Sequence, residues 1–184
     1  MAEGRIACRG HARQWQAKLG KVFAASGLRE NPKGMLLDWA IIEILPNRSG
    51  VVNCIPGKRD VPTTYRHFYS PASSIIMDTE QPRPGMKVFK IGRRTGFTGG
   101  RIKGIEGTDL KFWVQKPDGT WCKKTSKAFL VVSEGGRVFG DPGDSGSFVF
   151  NEFGMLVGLC VGGDDQLGTG VFTGAEDLFA NINL

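Results

Sequence analysis

Apolar residues occur along the chain in short runs separated by glycine and proline, which is the pattern of many short β-strands. From residue 85 onwards these runs recur at regular spacing, and Pro117-Asp118-Gly119 between two of them is typical of a hairpin turn. Regular spacing of this kind predicts a closed barrel or a sandwich. The strands predicted in this part are residues 86–92, 100–106, 110–115, 121–124, 128–133, 146–150, 155–161 and 168–173.

The pattern is less regular at the two ends of the chain. Residues 20–26 predict a strand, and the nearly continuous apolar run 37–45 predicts a strand packed on both faces. Residues 11–18 have the spacing of a short helix, whereas residues 47–84 are rich in Pro, Ser and Thr and are interpreted as a barrel end and a linker. Residues 175–182 begin with acidic residues and carry apolar ones at helical spacing, so they predict a terminal amphipathic helix.

Composition supports a soluble β-protein of one or two small domains. The 184 residues are 40% hydrophobic and 23% charged, and the 27 glycines and nine prolines favour tight turns over long helices. No apolar run is long enough to cross a bilayer, and the N-terminus lacks the apolar segment of a secretory signal, so we expect a cytoplasmic protein without a membrane partner. The net charge of +6 comes from scattered residues, so nucleic acid is not the expected partner.

The cysteines and histidines do not suggest a cofactor. The four cysteines stand singly, and two histidines are too few for a zinc site with them. We therefore expect no metal and no cofactor, and in a cytosolic protein we expect reduced thiols.

The strongest candidate for chemistry is the segment 140–147, Gly-Asp-Pro-Gly-Asp-Ser-Gly-Ser, which directly precedes an apolar run. A serine hydroxyl between two glycines protrudes from a tight bend, because glycine allows turn conformations that other residues resist. The amides of Gly143 and Ser145 are then free to bind a developing oxyanion. The alternative is an ordinary polar turn between two strands.

The sequence Gly143-Asp144-Ser145-Gly146-Ser147 resembles the nucleophile loop of the trypsin/chymotrypsin-like serine proteases, particularly their microbial branches. Three further stretches agree with that family in order and spacing. Residues 37–44 resemble the strand entry with the triad aspartate, residues 88–102 the first hairpin of the second barrel, and residues 156–163 with 170–172 the strands that line the substrate pocket.

The resemblance implies an all-β fold, a trypsin-like double β-barrel with an incomplete first barrel and a C-terminal helix. Residues 1–80 would form the partial first barrel, including a leader at 1–18 that matches no part of the family. Residues 85–184 would form the second barrel with the terminal helix. The missing strands suggest either a truncated protease or a pseudoprotease.

The same resemblance implies the site residues. Ser145 would be the nucleophile, Asp38 the carboxylate that orients the base, and the amides of Gly143 and Ser145 the oxyanion hole. Asp144 is expected to make a buried structural ion pair or hydrogen bond. The substrate pocket would have its floor near Phe139 and its walls near Val161, Gly162 and Gly163. Because the floor carries no acidic residue, a small or apolar substrate side chain is favoured over Lys or Arg.

The base is the open question. The family order of histidine, aspartate and serine leaves His11, but its surroundings are hydrophilic and it stands too near residue 20 for the strand and loop that the family places between. His67 follows Asp38 and gives the order found in subtilisins, but the strands around Ser145 do not suit that setting. His67 is better interpreted as a surface or interface residue of an aromatic cluster.

Three functions therefore follow from the sequence. The first is a serine-type endopeptidase that hydrolyses peptide bonds of a peptide or protein through an acyl-enzyme at Ser145, inactive if the base is missing. The second is a non-catalytic pseudoprotease that binds protein. The third is an anion or nucleic-acid binder. Apolar strand surface left by the incomplete first barrel predicts self-association.

Overall fold

A computed structural model of the chain describes residues 20–46, 54–115, 118–164 and 166–182. In these ranges nearly all regular structure is β, together with a 3₁₀ turn at Thr63–Tyr65 and a C-terminal α-helix, so the predicted all-β fold class is confirmed. The elements are β1 (Gly20–Ala25), β2 (Arg29–Glu30), β3 (Leu36–Leu37), β4 (Ala40–Ile44), β5 (Lys87–Gly92), β6 (Gly96–Gln115), β7 (Trp121–Glu134), β8 (Phe148–Asn151), β9 (Leu156–Asp164), β10 (Thr169–Gly174) and α1 (Ala175–Asn181).

Strands β5 to β10 form a closed antiparallel barrel in the order β10-β7-β6-β5-β8-β9. Alternate side chains point inwards and fill the barrel, as expected for a barrel of this size. The buried interior consists of Val88, Ile102, Val131, Phe139, Val149, Val157, Cys160 and Phe172. This core fixes the strand ends from which the loops of the candidate site extend.

Two pairs of predicted strands are single long strands in the structure. The segments predicted at 100–106 and 110–115 both belong to β6, and those at 121–124 and 128–133 both belong to β7. The pairing shifts register between Lys103 and Thr108. A shift of this kind interrupts the alternation in the sequence without ending the strand, so the pattern suggested two strands.

The predicted strand at 37–45 is wrong in its bounds and its burial. The chain forms β3, which ends at Leu37, and then β4, which begins at Ala40 and pairs with β1. The side chains of Ile42 and Ile44 are 42% and 47% exposed, because within the described residues β4 has only β1 beside it and neither face of this two-stranded sheet is covered.

The segment between the two sheet systems is packed, and is more than a linker. Tyr65 and Tyr69 are buried against Phe89 and Phe150, which lie on the side of β5 and β8 away from the barrel interior. The Tyr69 hydroxyl donates to the Pro56 carbonyl at 2.8 Å, and burial raises the pKa of Tyr69 to about 12. An aromatic layer therefore covers this outer face of the barrel.

The terminal helix α1 ties the N-terminal residues to the barrel. Leu178 is buried, while Asp177 accepts hydrogen bonds from Asn31 at 3.1 Å and from Lys33 at 3.2 Å. Asn181 accepts hydrogen bonds from Arg29 at 2.8 Å and from the Trp39 indole at 3.2 Å. Within the described ranges, no helix is long and apolar enough to span a membrane.

Candidate active site

The loop before β8 presents Ser145 on the surface. Gly143 has a φ of +101° and Gly146 a φ of +85°, in the left-handed region that favours glycine, so the chain bends on both sides of the serine. The loop is closed by hydrogen bonds from the Ser147 amide to the Asp144 carbonyl at 3.0 Å and from the Gly146 amide to the Cys160 carbonyl at 2.8 Å. The predicted tight bend is therefore present.

The polar groups at the tip of this loop are free to act on a ligand. The Ser145 side chain is exposed, and its hydroxyl has no hydrogen-bond partner among the described residues. The amides of Gly143 and Ser145 have no acceptor there either, whereas the amides of Asp144, Gly146 and Ser147 are all bonded. An exposed hydroxyl and two unbonded amides in one loop are two of the features that acyl transfer requires, the others being a base and a group that orients it.

Asp144 anchors the loop from below through a buried ion pair. Its carboxylate lies 2.9 Å from Lys90 Nζ, and both side chains are fully buried. It also accepts hydrogen bonds from the Thr95 hydroxyl at 2.7 Å and the Arg94 amide at 2.7 Å. Burial alone would raise the pKa of Asp144, but the hydrogen bonds from Thr95, Lys90 and Arg94 outweigh it and hold that pKa well below its usual value. The predicted buried ion pair is confirmed.

The partner in this ion pair could not be identified from the sequence. Lys90 lies in β5 and reaches Asp144 across 54 positions of the chain, and its ammonium group also donates to Thr95 at 2.7 Å. The available signal was a single lysine inside the apolar strand Val-Phe-Lys-Ile, because a charge in such a place needs a partner. That signal identifies the lysine as a residue that needs a partner, but it does not identify the partner.

The turn between β5 and β6 holds the nucleophile loop from one side. Gly92 and Gly96 pair at the base of this turn, and Arg94 at its tip lies 3.1 Å from Asp141 of the loop. A β-carbon built on Gly92 would overlap the Asp144 carboxylate and lie 2.7 Å from Lys90 Nζ. The backbone of the turn therefore packs directly against the Asp144 side chain of the loop.

Asp38 stands at the mouth of a pocket beside the nucleophile loop. It lies between β3 and β4, is exposed, and its carboxylate has no hydrogen-bond or ion-pair partner among the described residues. The next residue is fixed, since the Trp39 amide donates to Ser26 at 2.9 Å. The pocket has a volume of about 380 Å³ and is lined by Asp38, Trp39, Ala40, Gly146, Phe148, Leu156, Gly158, Leu159, Leu178, Phe179 and Ile182. Asp38 and Gly146, the residue after Ser145, thus line the same pocket.

Of the two histidines considered as the catalytic base, the structure describes only His67. His11 lies outside the described residues. His67 follows the 3₁₀ turn and is exposed, as expected of a surface residue beside the aromatic cluster. The assignment of a base stays a prediction.

The predicted substrate pocket is built from close glycine contacts. Phe139 is fully buried in the barrel, so a pocket floor that it forms lies beneath the surface layer. Val161, Gly162 and Gly163 lie on β9 and are partly or fully accessible. A β-carbon on Gly163 would overlap the Gly140 carbonyl, so glycine allows β9 to contact the start of the nucleophile loop. The pocket assignment stays a prediction.

Two further groups bear on the chemistry of the site. Cys160 is buried behind the loop, and burial raises the pKa of its thiol, which therefore stays protonated near neutral pH. Cys54, Cys122 and Cys160 are free thiols. Across the described ranges, no group of three His, Cys, Asp or Glu side chains is placed to hold a metal ion.

Comparison with known proteins bears on the fold and the family of the chain. A solved glutamic-acid-specific serine protease, described as using a histidine triad in substrate binding, superposes with a TM-score of 0.50 and 15% identity, covering 90% of this chain and 72% of that one. The Rv3671c protease from M. tuberculosis, in its active form, gives a TM-score of 0.40 and 15% identity over 60% of this chain and 48% of that one. The first likeness shows the trypsin-like serine protease fold. The family model of peptidase family S64 matches residues 13–174, and the chain therefore belongs to peptidase family S64, whose members are serine-type peptidases of the trypsin-like fold.

Proposed function

We propose that this chain carries the nucleophile half of a serine endopeptidase site, with Ser145 forming the acyl-enzyme. The observation that supports this most directly is the exposed Ser145 hydroxyl beside the unbonded amides of Gly143 and Ser145. In the reaction the hydroxyl oxygen attacks a peptide carbonyl, its proton passes to a base, and the two amides bind the oxyanion. The base then protonates the departing amine, and water releases the acyl group.

The remaining roles belong to the same proposal. Asp38 orients the base and stabilises its charged form, and His11 is the base. Phe139 and Val161 to Gly163 form the pocket for a small or apolar side chain of a peptide or protein substrate. The proposal also includes a division into domains at residues 1–80 and 85–184 and a cytoplasmic location, which the three free thiols support.

The proposal predicts covalent labelling of Ser145 by a fluorophosphonate. The unsubstituted chain should be labelled at Ser145, and Ser145→Ala should lose the label completely, since the hydroxyl of Ser147, the other serine of the loop, is bonded to the Asp144 carbonyl. His11→Ala should slow labelling by about 10²-fold or more, the usual contribution of a general base. The measurement is peptide mapping of the labelled chain by mass spectrometry.

Ser70→Ala is the matched control, because Ser70 is another exposed serine and lies outside the nucleophile loop. Its labelling rate should equal that of the unsubstituted chain. Labelling that persists in Ser145→Ala, or a complete lack of labelling in the unsubstituted chain, would reject the nucleophile assignment.

A non-catalytic protein-binding role is the second candidate, and the long β6–β7 hairpin favours it. Trp113 and Trp121 are 60% and 62% exposed, and Trp113 pairs across the ribbon with Lys123. Exposed tryptophan beside lysine is common where proteins bind partners. The second candidate would fit a chain that fluorophosphonate does not label but that binds a protein partner through the surface of Trp113 and Trp121.

Self-association through the β1–β4 sheet is a further part of the proposal. Val22 and Phe23 are each 65% exposed, and an uncovered apolar two-stranded sheet offers both faces to another copy. Sedimentation velocity should therefore show concentration-dependent association that is reduced in the double variant Val22→Thr/Phe23→Lys. The control is Leu167→Lys, which removes an apolar side chain that is 72% exposed outside this sheet. A monomer at all concentrations would contradict the proposal.

A further inference from the structure

An unpaired cation of the β5–β6 turn lies against one flank of the nucleophile loop. A β-carbon built on Gly143 would lie 2.8 Å from Nη2 of Arg93, so the guanidinium lies against the residue that supplies one oxyanion-hole amide. Arg93 is exposed and has no hydrogen-bond or ion-pair partner among the described residues. Its neighbour Arg94 is paired with Asp141, and Lys90 with Asp144. Arg93 therefore offers an unused positive charge at the site.

The position of Arg93 is fixed by the turn that bears it. Four bonds join this turn to the nucleophile loop: Asp144 accepts from the Arg94 amide at 2.7 Å, from the Thr95 amide at 3.3 Å and from the Thr95 hydroxyl at 2.7 Å, and Arg94 pairs with Asp141 at 3.1 Å. The Arg93 backbone therefore cannot move away from the loop without breaking a buried network. A backbone held in this way keeps the exposed guanidinium within reach of the loop.

The strand order places Arg93 on the side of the loop opposite the predicted acyl pocket. In the barrel β8 lies between β5 and β9, so the loop that enters β8 has the β5–β6 turn on one side and β9 on the other. The predicted acyl pocket, at Val161 to Gly163, is on the β9 side. A peptide whose carbonyl binds at the Gly143 amide and whose acyl side chain points to β9 extends its following residues towards Arg93.

We propose that Arg93 forms a carboxylate-binding subsite for an acidic residue just after the scissile bond. The inference rests on the proposed function, because it takes the reacting carbonyl to bind at the amides of Gly143 and Ser145. A guanidinium binds a carboxylate through two parallel hydrogen bonds, which gives selectivity for Asp or Glu over their amides. Because Arg93 is exposed, the gain in binding affinity for an acidic residue should be as small as that from a surface ion pair.

Binding of short peptides tests this subsite without turnover. The full chain carrying Ser145→Ala is titrated, by NMR, with two acetylated peptides that differ only in having Glu or Gln directly after the central apolar residue. The Glu peptide should bind about fivefold more tightly, the upper range for an exposed ion pair. With Arg93→Gln added, the ratio of the affinities for the Glu and Gln peptides should fall to about one, while Arg93→Lys should retain part of the preference for Glu.

Arg59→Gln is the matched control, since Arg59 is another exposed arginine and its loss changes the net charge equally. It should leave the ratio unchanged. The preference should also shrink in about 0.5 M salt, where exposed charges are screened. Three results would overturn the subsite. The chain with Arg93 could bind the Glu and Gln peptides equally, the Glu preference could survive Arg93→Gln, or neither peptide could bind.

The outcome separates this inference from the nucleophile proposal. Fluorophosphonate labelling of Ser145 together with a ratio of one would reject the Arg93 subsite and leave the nucleophile in place. An intact Glu preference without any labelling would reject the nucleophile and leave Arg93 as a carboxylate-binding residue of a non-catalytic peptide site.

Discussion

Replacing Lys90 by Met should lower the free energy of unfolding by about 3–5 kcal/mol, the usual cost of removing one partner from a buried ion pair. The substitution leaves the Asp144 carboxylate fully buried with only its hydrogen bonds from Thr95 and the backbone. Because the same carboxylate anchors the loop of Ser145, labelling at Ser145 should be lost before the chain unfolds globally. Urea unfolding followed by tryptophan fluorescence measures the first effect.

Two variants show whether the loss comes from the buried charge. Arg94→Gln removes the ion pair with Asp141, in which the arginine side chain is 68% exposed, and should cost less than about 1 kcal/mol. The double variant Lys90→Met/Asp144→Asn removes both charges and should be more stable than Lys90→Met alone. Equal losses from Lys90→Met and Arg94→Gln would contradict the assignment.

The pH dependence of unfolding gives a second measure of the same carboxylate. The pKa of Asp144 is lowered in the folded chain, so its stabilising contribution is present above the unfolded pKa, near 4, and is lost as the pH falls towards the folded value. The unsubstituted chain should therefore lose stability below about pH 5. Asp144→Asn lacks the titrating group and should show a weaker dependence over the same window.

Local signals were sufficient to predict the nucleophile loop. Gly143 and Gly146 have the positive φ values that the bend around Ser145 requires, and bends of this kind are determined by the residues that form them. The burial of Asp144 was expected from the resemblance of this loop to the nucleophile loop of the trypsin-like serine proteases, and not from the apolar pattern. Regular strand spacing predicted a closed barrel or a sandwich, and the family resemblance selected the barrel.

Long-range packing was not predictable from the same signals. The apolar run at 37–45 predicted burial, but burial depends on what covers a strand, and no described element covers Ile42 or Ile44. The Pro-, Ser- and Thr-rich composition of residues 47–84 predicts a barrel end and a linker, yet the rings of Tyr65 and Tyr69 pack against Phe89 across the fold. The pairing of Lys90 with Asp144 was unpredictable for the same reason. The apolar pattern shows which face of a strand a side chain lies on, but not which distant residue it contacts.

Replacing Gly92 by Ala should destabilise the chain by about 3 kcal/mol, combining the costs of overpacking and of a disturbed buried ion pair. The new β-carbon would overlap the Asp144 carboxylate and lie 2.7 Å from Lys90 Nζ, and neither group can withdraw because both are fully buried and bonded. Urea unfolding measures the loss.

Gly96, at the other end of the same turn, provides the matched control for this steric argument. It has a φ of +67° and no atom within 4 Å of a built β-carbon, so Gly96→Ala should cost only the backbone strain of about 1 kcal/mol. The ion pair is also tested directly, because Gly92→Ala should cost little more once Asp144→Ala has made room for the methyl group. Equal losses for Gly92→Ala and Gly96→Ala would mean that backbone conformation, and not the buried carboxylate, determines which residue this turn accepts.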